Sequence, residues 1–102
     1  MKALFIIDGL PLEARRAREA LRIAAGTGVW GKVRPTLCFT RDNDPALGHA
    51  EAGELRRYIH LLRETAGGLF TRAPEKPEGI LRHTDETGLA RLIGEADTVL
   101  RF

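Results

Sequence analysis

The chain opens on an unbroken apolar run, residues 3–7, that ends abruptly in the polar pair Asp8-Gly9. A strand that is apolar on both faces must be covered on both sides, as in parallel sheets flanked by helices. An Ala- and Arg-rich helical pattern follows the pair at once. The pattern predicts a parallel α/β domain. It places the carboxyl end of the first strand, where such folds bind ligands, at Asp8 and Gly9.

Three segments carry apolar residues at helical spacing. The first helix is predicted over residues 12–25, with glycines 26, 28 and 31 ending it. The second is predicted from Pro45 or Glu51 to Ala66, with Asp44 as its cap. The third follows a cap at Thr84 or Asp85. The predicted inward residues of the three helices are Ala14, Ala17, Leu21, Ala24 and Ala25; Leu55, Tyr58, Ile59, Leu62 and Ala66; and Leu89, Leu92 and Ile93.

Four more strands are predicted between and after these helices, at residues 33–40, 69–72, 80–81 and 98–102. Five strands alternating with three helices predict a three-layer α/β/α sandwich, a single domain over residues 1–102, around a mainly parallel, five-stranded, flavodoxin-like sheet. Pro35 lies inside the second strand and has no N–H to donate. We therefore expect that strand at a sheet edge, as in the flavodoxin-like order 2-1-3-4-5.

Charge changes this picture little. The 16 basic and 14 acidic residues leave a net charge of +2, and they are interspersed along the chain. Pairs at helical spacing, such as Arg15 with Glu19 and Arg56 with Glu51, favour surface ion pairs over a nucleic-acid interface. No apolar stretch approaches the roughly 20 residues of a membrane span, and no signal peptide is visible. We therefore expect a cytoplasmic protein that binds neither nucleic acid nor membrane.

Candidate ligand-binding residues follow the predicted strands. Since the carboxyl ends of parallel strands meet at one edge of a sheet, we expect them to form one crevice. Asp8 is either an acid or polar anchor there, or a cap of the turn that follows it. A second alternative concerns His83, which faces either the crevice or solvent. The predicted set is Asp8, Gly9, Arg41, Arg72 and His83.

Other chemistries have little support in the sequence. Cys38 is the one cysteine and lies inside a predicted strand, which indicates a structural role for its thiol. His49 and His60 lie about 16 Å apart along one predicted helix, too far to share a metal ion. The glycines after the first helix stand in helix-glycine-strand order, the reverse of a phosphate-binding loop. We expect no metal site and no cofactor.

Two segments carry a resemblance to a known family. One is the opening strand with Asp8-Gly9-Leu10-Pro11 and the helix that contains residues 16–24. The other is the ending, from the turn at residues 83–86 through the last helix to the strand at 98–102. Together they resemble the DsrE-like family of small sulfur-relay proteins, and they lie at the two ends of the chain.

The resemblance implies an α/β subunit of a homo- or hetero-oligomer, such as a trimer or hexamer, in cytoplasmic sulfur transfer. Active members of that family carry a persulfide-holding cysteine in the loop after the third or fourth strand. The corresponding stretch here, residues 70–79, contains no cysteine. The leading hypothesis is therefore a non-catalytic subunit with a structural, partner-binding or small-ligand-binding role.

An alternative is a small enzyme or sensor that binds an anionic ligand at the strand ends. Arginine side chains there suit carboxylates and phosphates. A basic nucleic-acid module is the weakest hypothesis, because the charges are balanced.

Overall fold

The computed structural model describes residues 1–10, 14–41, 53–76 and 79–102. Strands and helices alternate along these residues. They are β1 (Lys2–Ile7), α1 (Arg15–Trp30), β2 (Arg34–Phe39), α2 (Gly53–Thr65), β3 (Gly68–Thr71), β4 (Arg82–His83), α3 (Glu86–Glu95) and β5 (Thr98–Arg101).

The strands form one sheet in the order β4-β3-β2-β1-β5, and every neighbouring pair is parallel. With α1 and α2 on one face and α3 on the other, the chain is a three-layer α/β/α sandwich, which confirms the predicted fold class. The predicted strand order is wrong. β2 lies in the middle of the sheet, between β1 and β3, and the edge strands are β4 and β5.

Pro35 is compatible with this central position because of where it falls in the register. The first residues paired between β2 and β3 are Thr36 and Gly68, so Pro35 precedes that ladder. Its carbonyl accepts a hydrogen bond from the Gly67 N–H at 2.7 Å. In an extended strand the N–H and C=O of one residue point to the same neighbouring strand. The N–H that Pro35 lacks would therefore point toward β3 at a position before β3 begins, so no hydrogen bond of the ladder is lost.

Helix α1 extends past its predicted end. Gly26 and Gly28 lie inside the helix, and only Gly31 ends it, with a φ of 83° that favours glycine. The predicted inward stripe is confirmed except that Ala14 is only half-buried, and Ala20 joins it. Alanine brings the helix axis close to the sheet because its side chain is short. The fully buried residues of α1 are Ala17, Ala20, Leu21, Ala24, Ala25 and Gly28.

Helix α2 packs beside α1 over the same face of the sheet. Its buried side chains are Leu55, Ile59 and Leu62, as predicted, while Tyr58 and Ala66 are half-buried. The predicted start of this helix at Pro45 or Glu51, with its Asp44 cap, lies outside the described residues. The sheet residues beneath α1 and α2 are Ala3, Phe5, Ile7, Leu37, Phe39 and Leu69.

Helix α3 lies over the opposite face, and it is the one helix of the described residues that packs there. The Asp85 side chain caps it, accepting a hydrogen bond from the Gly88 N–H at 2.7 Å, so one of the two predicted caps is confirmed. None of its ten residues is fully buried in the described structure. Leu89 and Leu92 are half-buried as inward residues, but Ile93 remains 43% exposed, and its predicted burial is wrong. The sheet residues below are Leu4, Ile6, Cys38 and Phe70.

The boundaries of the strands agree with the sequence within one or two residues. The fourth strand is displaced most, to Arg82–His83 from the predicted 80–81. Leu81 instead is buried in the core beneath α1 and α2. No helix in the described ranges is both long and apolar enough to cross a membrane.

The surface ion pairs differ from the predicted ones in one detail. Glu19 pairs with Arg22, at 2.8 Å and 3 residues away, while Arg15 acts on Glu19 only at longer range. The predicted pair of Arg56 with Glu51 lies outside the described residues.

Candidate functional site

The predicted site residues form a row along the carboxyl edge of the sheet. Asp8 follows β1, Arg41 follows β2, Arg72 follows β3, and His83 ends β4. Because neighbouring strands are about 4.8 Å apart, the ends of β1 and β4 are separated by roughly 14 Å. The strand order therefore spreads these side chains along an edge and does not bring all of them to one point.

Asp8 forms the best-defined polar cluster on this edge. Its Oδ2 accepts a hydrogen bond from Arg101 Nε at 2.9 Å, and its Oδ1 accepts from Arg101 Nη2 at 3.2 Å. The Thr40 hydroxyl donates to Oδ1 at 3.0 Å. The Arg101 hydrogen bond lowers the pKa of Asp8; partial burial opposes it, and Thr40 lowers the pKa further. Asp8 is thus an ionised link between the ends of β1, β2 and β5.

Arg101 belongs to the site but was not predicted. It is the last residue of β5, which pairs with β1, and Ile6 is its partner in the register. In the expected order 2-1-3-4-5, the fifth strand would lie far from the first. Arg101 could therefore be predicted only from the observed strand order, which places the end of β5 beside Asp8.

Arg41 is held by its backbone. Its carbonyl accepts a hydrogen bond at 3.2 Å from the hydroxyl of Thr71, a side chain that is wholly buried. The same hydroxyl oxygen accepts from the Ala73 N–H at 3.1 Å, and this ties the end of β2 to the turn after β3. The charge of Arg41 also lowers the pKa of Asp8, so its guanidinium acts on that carboxylate at longer range.

His83 and Arg72 lie apart from this cluster. The imidazole Nδ1 of His83 is 2.8 Å from the carbonyl oxygen of Ala73 and donates to it, since a carbonyl can only accept. The His83 N–H donates to Glu75 Oε1 at 3.2 Å. Within the described ranges, no hydrogen bond or ion pair joins Arg72 or His83 to Asp8.

Cys38 lies beneath α3 and is wholly buried. Burial raises the pKa of its thiol, and the charge of Arg72 only partly opposes this effect. The environment is that of a packed structural cysteine, as predicted. In the part of the chain described here, no three His, Cys, Asp or Glu side chains group closely enough to hold a metal ion.

A hollow of about 440 Å³ adjoins Asp8 at the start of α1. Gly9 forms part of its wall, and a Cβ added there would lie 2.7 Å from the Cβ of Ala14, so the close approach of this turn to α1 requires glycine. No side chain caps α1 at Ala14, and its first turn contains no acid. The lining residues are Asp8, Gly9, Leu10, Ala14, Arg16, Ala17, Arg41 and Phe102.

Comparison with known proteins gives a structural match only. No protein-family model and no curated protein matches the sequence. The fold is similar to the crystal structure of the ychN protein from E. coli, with a TM-score of 0.77 and 18% identity over 100% of both chains. At this identity the similarity shows the fold alone. The chain therefore has a DsrE-like fold, which confirms the architecture implied by its two terminal segments.

Proposed function

We propose that this chain is a non-catalytic DsrE-like subunit with a structural or partner-binding role in a cytoplasmic sulfur-relay-type oligomer. The observation that carries the proposal is the position of its one thiol. Cys38 is wholly buried in the middle strand of the sheet, and residues 70–79 contain no cysteine.

Sulfur transfer needs a thiolate that a donor can reach. Burial raises the pKa of Cys38, so the reactive ionised form is disfavoured. The side chains of Leu4, Ile6 and Phe70 surround it in the cluster beneath α3. A donor could reach the sulfur only after this cluster had opened.

A partner-binding role is supported by the surface around β5. This strand is a sheet edge, so one side of its backbone has no strand partner in the described structure. Val99 and Leu100 are 43% and 39% exposed, and Ile93 of α3 is 43% exposed. An apolar edge strand favours association with another copy of the chain or with a related subunit.

Persulfide loading tests the absence of catalysis. Folded wild type and Cys38→Ser are incubated with a polysulfide donor, and the intact mass of each is measured. We expect no gain on either folded protein and a gain on wild type unfolded in denaturant. A gain of one sulfur by the folded wild type but not by Cys38→Ser would contradict the proposal.

Association is tested separately by light scattering. We expect an oligomer for wild type and a loss of mass for Val99→Glu, because the variant places a charge on the β5 edge. Val29→Glu is the matched control, since Val29 is 59% exposed at the far end of α1. A monomeric wild type, or equal effects of the two variants, would contradict a β5 interface.

The second candidate function is the binding of an anionic ligand at the strand ends. The hollow beside Asp8 favours it, because Arg16 and Arg41 both line that hollow. A ligand that binds only the folded state raises the melting temperature. A thermal-shift screen of nucleotides and organic acids would therefore detect one, and a screen in which no anion raises the melting temperature would remove this candidate.

A further inference from the structure

We propose that a second hollow, between the last turn of α3 and the amino ends of β1 and β2, binds a small zwitterionic amino acid with an apolar side chain. Lys2 and Arg34 bind its carboxylate, and Glu95 binds its ammonium group. The apolar side chain of the ligand lies against Phe70 and Leu92. This site is at the amino ends of the strands, so it is independent of both candidate functions above.

Two basic side chains stand next to each other at this hollow. Lys2 is paired with Arg34 in the register of β1 and β2. Because side chains alternate along a strand, Lys2 shares a face with Leu4 and Arg34 shares it with Cys38, beneath α3. Both basic side chains are exposed, line the hollow and make no ion pair or hydrogen bond within the described ranges. Like charges on paired residues repel each other, so an anion between the two side chains is favourable.

The place of Arg34 depends on the close approach of Gly67, the residue before β3. A Cβ added to Gly67 would lie 2.8 Å from Thr36 Oγ1 and 3.3 Å from Arg34 Nε. Glycine at this position therefore leaves the space that the Arg34 side chain occupies along the wall of the hollow. The guanidinium presents several N–H donors in one plane, which suits the two oxygens of a carboxylate.

The opposite charge comes from the end of α3. Glu95 is the last residue of that helix and lines the same hollow. The carboxyl end of a helix carries a partial negative charge, so an acid there is unfavourable unless a cation lies near it. The last turn of α3 contains no basic residue, and the Glu95 side chain makes no ion pair in the part of the chain described here. A ligand ammonium group would satisfy both Glu95 and the end of the helix.

Size and charge together define the class of ligand. Charges of both signs line one hollow, and its apolar wall is formed by Leu4, Phe70 and Leu92 of the cluster beneath α3. Its volume of about 160 Å³ is below the roughly 300–1,000 Å³ of drug-sized sites. It is close to the roughly 150 Å³ of an apolar cavity that holds benzene. A nucleotide is therefore too large, whereas an amino acid with a branched apolar side chain matches the volume and both charges.

Three probes separate the two charges: L-leucine, L-leucinamide, which lacks the carboxylate, and 4-methylpentanoate, which lacks the ammonium group. Binding is followed by two-dimensional NMR of the labelled protein. We expect L-leucine to shift the amide signals of Leu4, Gly67 and Ala96, and to bind more tightly than either analogue. Equal binding of L-leucine and one of the analogues would overturn the inference. The absence of any shift, or shifts confined to other parts of the chain, would overturn it as well.

Two variants assign the charges to residues. We expect Glu95→Gln to weaken L-leucine binding roughly fivefold, the upper range for an exposed ion pair, and to leave 4-methylpentanoate binding unchanged. Lys2→Gln should weaken the binding of both. The matched controls are Glu86→Gln, at the other end of α3, and Lys32→Gln, near the amino end of β2, since both residues are exposed and lie outside the lining. Equal effects of the site variants and their controls would overturn the assignment, as would a Glu95→Gln variant that weakens L-leucine and 4-methylpentanoate alike.

Discussion

The two faces of the sheet are covered very differently. On one face, α1 and α2 pack side by side and bury a continuous core that includes Phe5, Leu37 and Phe39. On the other, α3 is the one described helix over Leu4, Ile6 and Cys38, and none of its own residues is fully buried in the described structure. Both faces have apolar strand residues, so the difference lies in the helices.

This asymmetry indicates which face carries stability and which face remains available for contacts. Buried apolar area dominates the folding free energy, so the face covered by α1 and α2 should contribute most of it. The face under α3 is less covered, and Ile93 and Val99 remain 43% exposed beside it. That surface is the one we expect a partner to cover.

The largest expected effect compares one side chain from each face. Phe39→Ala removes a wholly buried ring beneath α1 and α2 and should lower the unfolding free energy by about 3–5 kcal/mol. Leu92→Ala removes a half-buried side chain of α3 and should cost roughly 1–2 kcal/mol. Urea unfolding followed by circular dichroism measures both.

The contrast between the two faces of the sheet is tested by the ratio of these two losses of unfolding free energy. Equal costs for Phe39→Ala and Leu92→Ala would show that α3 is anchored as firmly as the other helices. A cost of Leu92→Ala that depends on protein concentration would instead show that a second copy completes the α3 face, because association adds to measured stability.

A smaller effect is expected on the opening of α3, and the reactivity of Cys38 reports it. Asp85→Ala removes the cap of α3 and should destabilise that helix by about 1 kcal/mol. A cost of that size raises the open population about fivefold. The rate at which a thiol reagent labels Cys38 under native conditions should rise by the same factor, since the thiol is covered by α3.

Leu55→Ala provides the contrast. Leu55 is buried in α2 on the opposite face, and its loss should lower global stability by about 2–5 kcal/mol. If α3 opens locally, Leu55→Ala accelerates the labelling of Cys38 by a smaller factor than the one that corresponds to its loss of global stability. Labelling that follows global stability in both variants would show that the α3 face does not open by itself.

The smallest effect concerns β5 and its link to Asp8. The pKa of Asp8 is lowered in the folded state, so the pair with Arg101 stabilises the fold above the ordinary aspartate value of 3.8. That contribution is lost as the pH falls below this value toward the folded pKa. Asp8→Asn should therefore unfold with a weaker dependence on pH below about 5.

The Asp8 effect is small because its side chain is 43% exposed and that of Arg101 is 68% exposed. Added salt should reduce it further. Melting temperatures of wild type and Asp8→Asn, measured from neutral to acid pH, give the difference. Asp97→Asn, which also removes an acid beside β5, is the comparison variant. Identical acid profiles for wild type and Asp8→Asn would contradict the link.

The sequence predicted the elements better than their arrangement. Local apolar spacing located the three helices and all five strands, although α1 ends five residues later than predicted and the predicted start of α2 lies outside the described residues. Pro35 favours a wrong strand order, because a residue without an N–H donor is typical of an edge strand. The register instead places Pro35 one residue before the ladder with β3, and no local pattern shows where a neighbouring strand begins.

The candidate site was predicted in part for the same reason. Asp8, Gly9 and Arg41 do lie beside one hollow, since they follow adjacent strands β1 and β2. The prediction missed Arg101 and placed His83 too near Asp8. The positions of both residues relative to Asp8 depend on which strands flank β1. Arg16 was also missed, since its position at the hollow follows from the start of α1 and not from a strand end.

The strand order also bears on how the chain folds. β1, β2 and β3 pair in chain order, whereas the contact of Lys2 with Asp97 spans 95 residues. Contacts of such long separation carry the greater loop-closure cost, so we expect β5 to dock last. Until it docks, one edge of β1, the most apolar strand of the chain, is open to other chains. Newly made protein should therefore be most prone to aggregation before its final strand is in place.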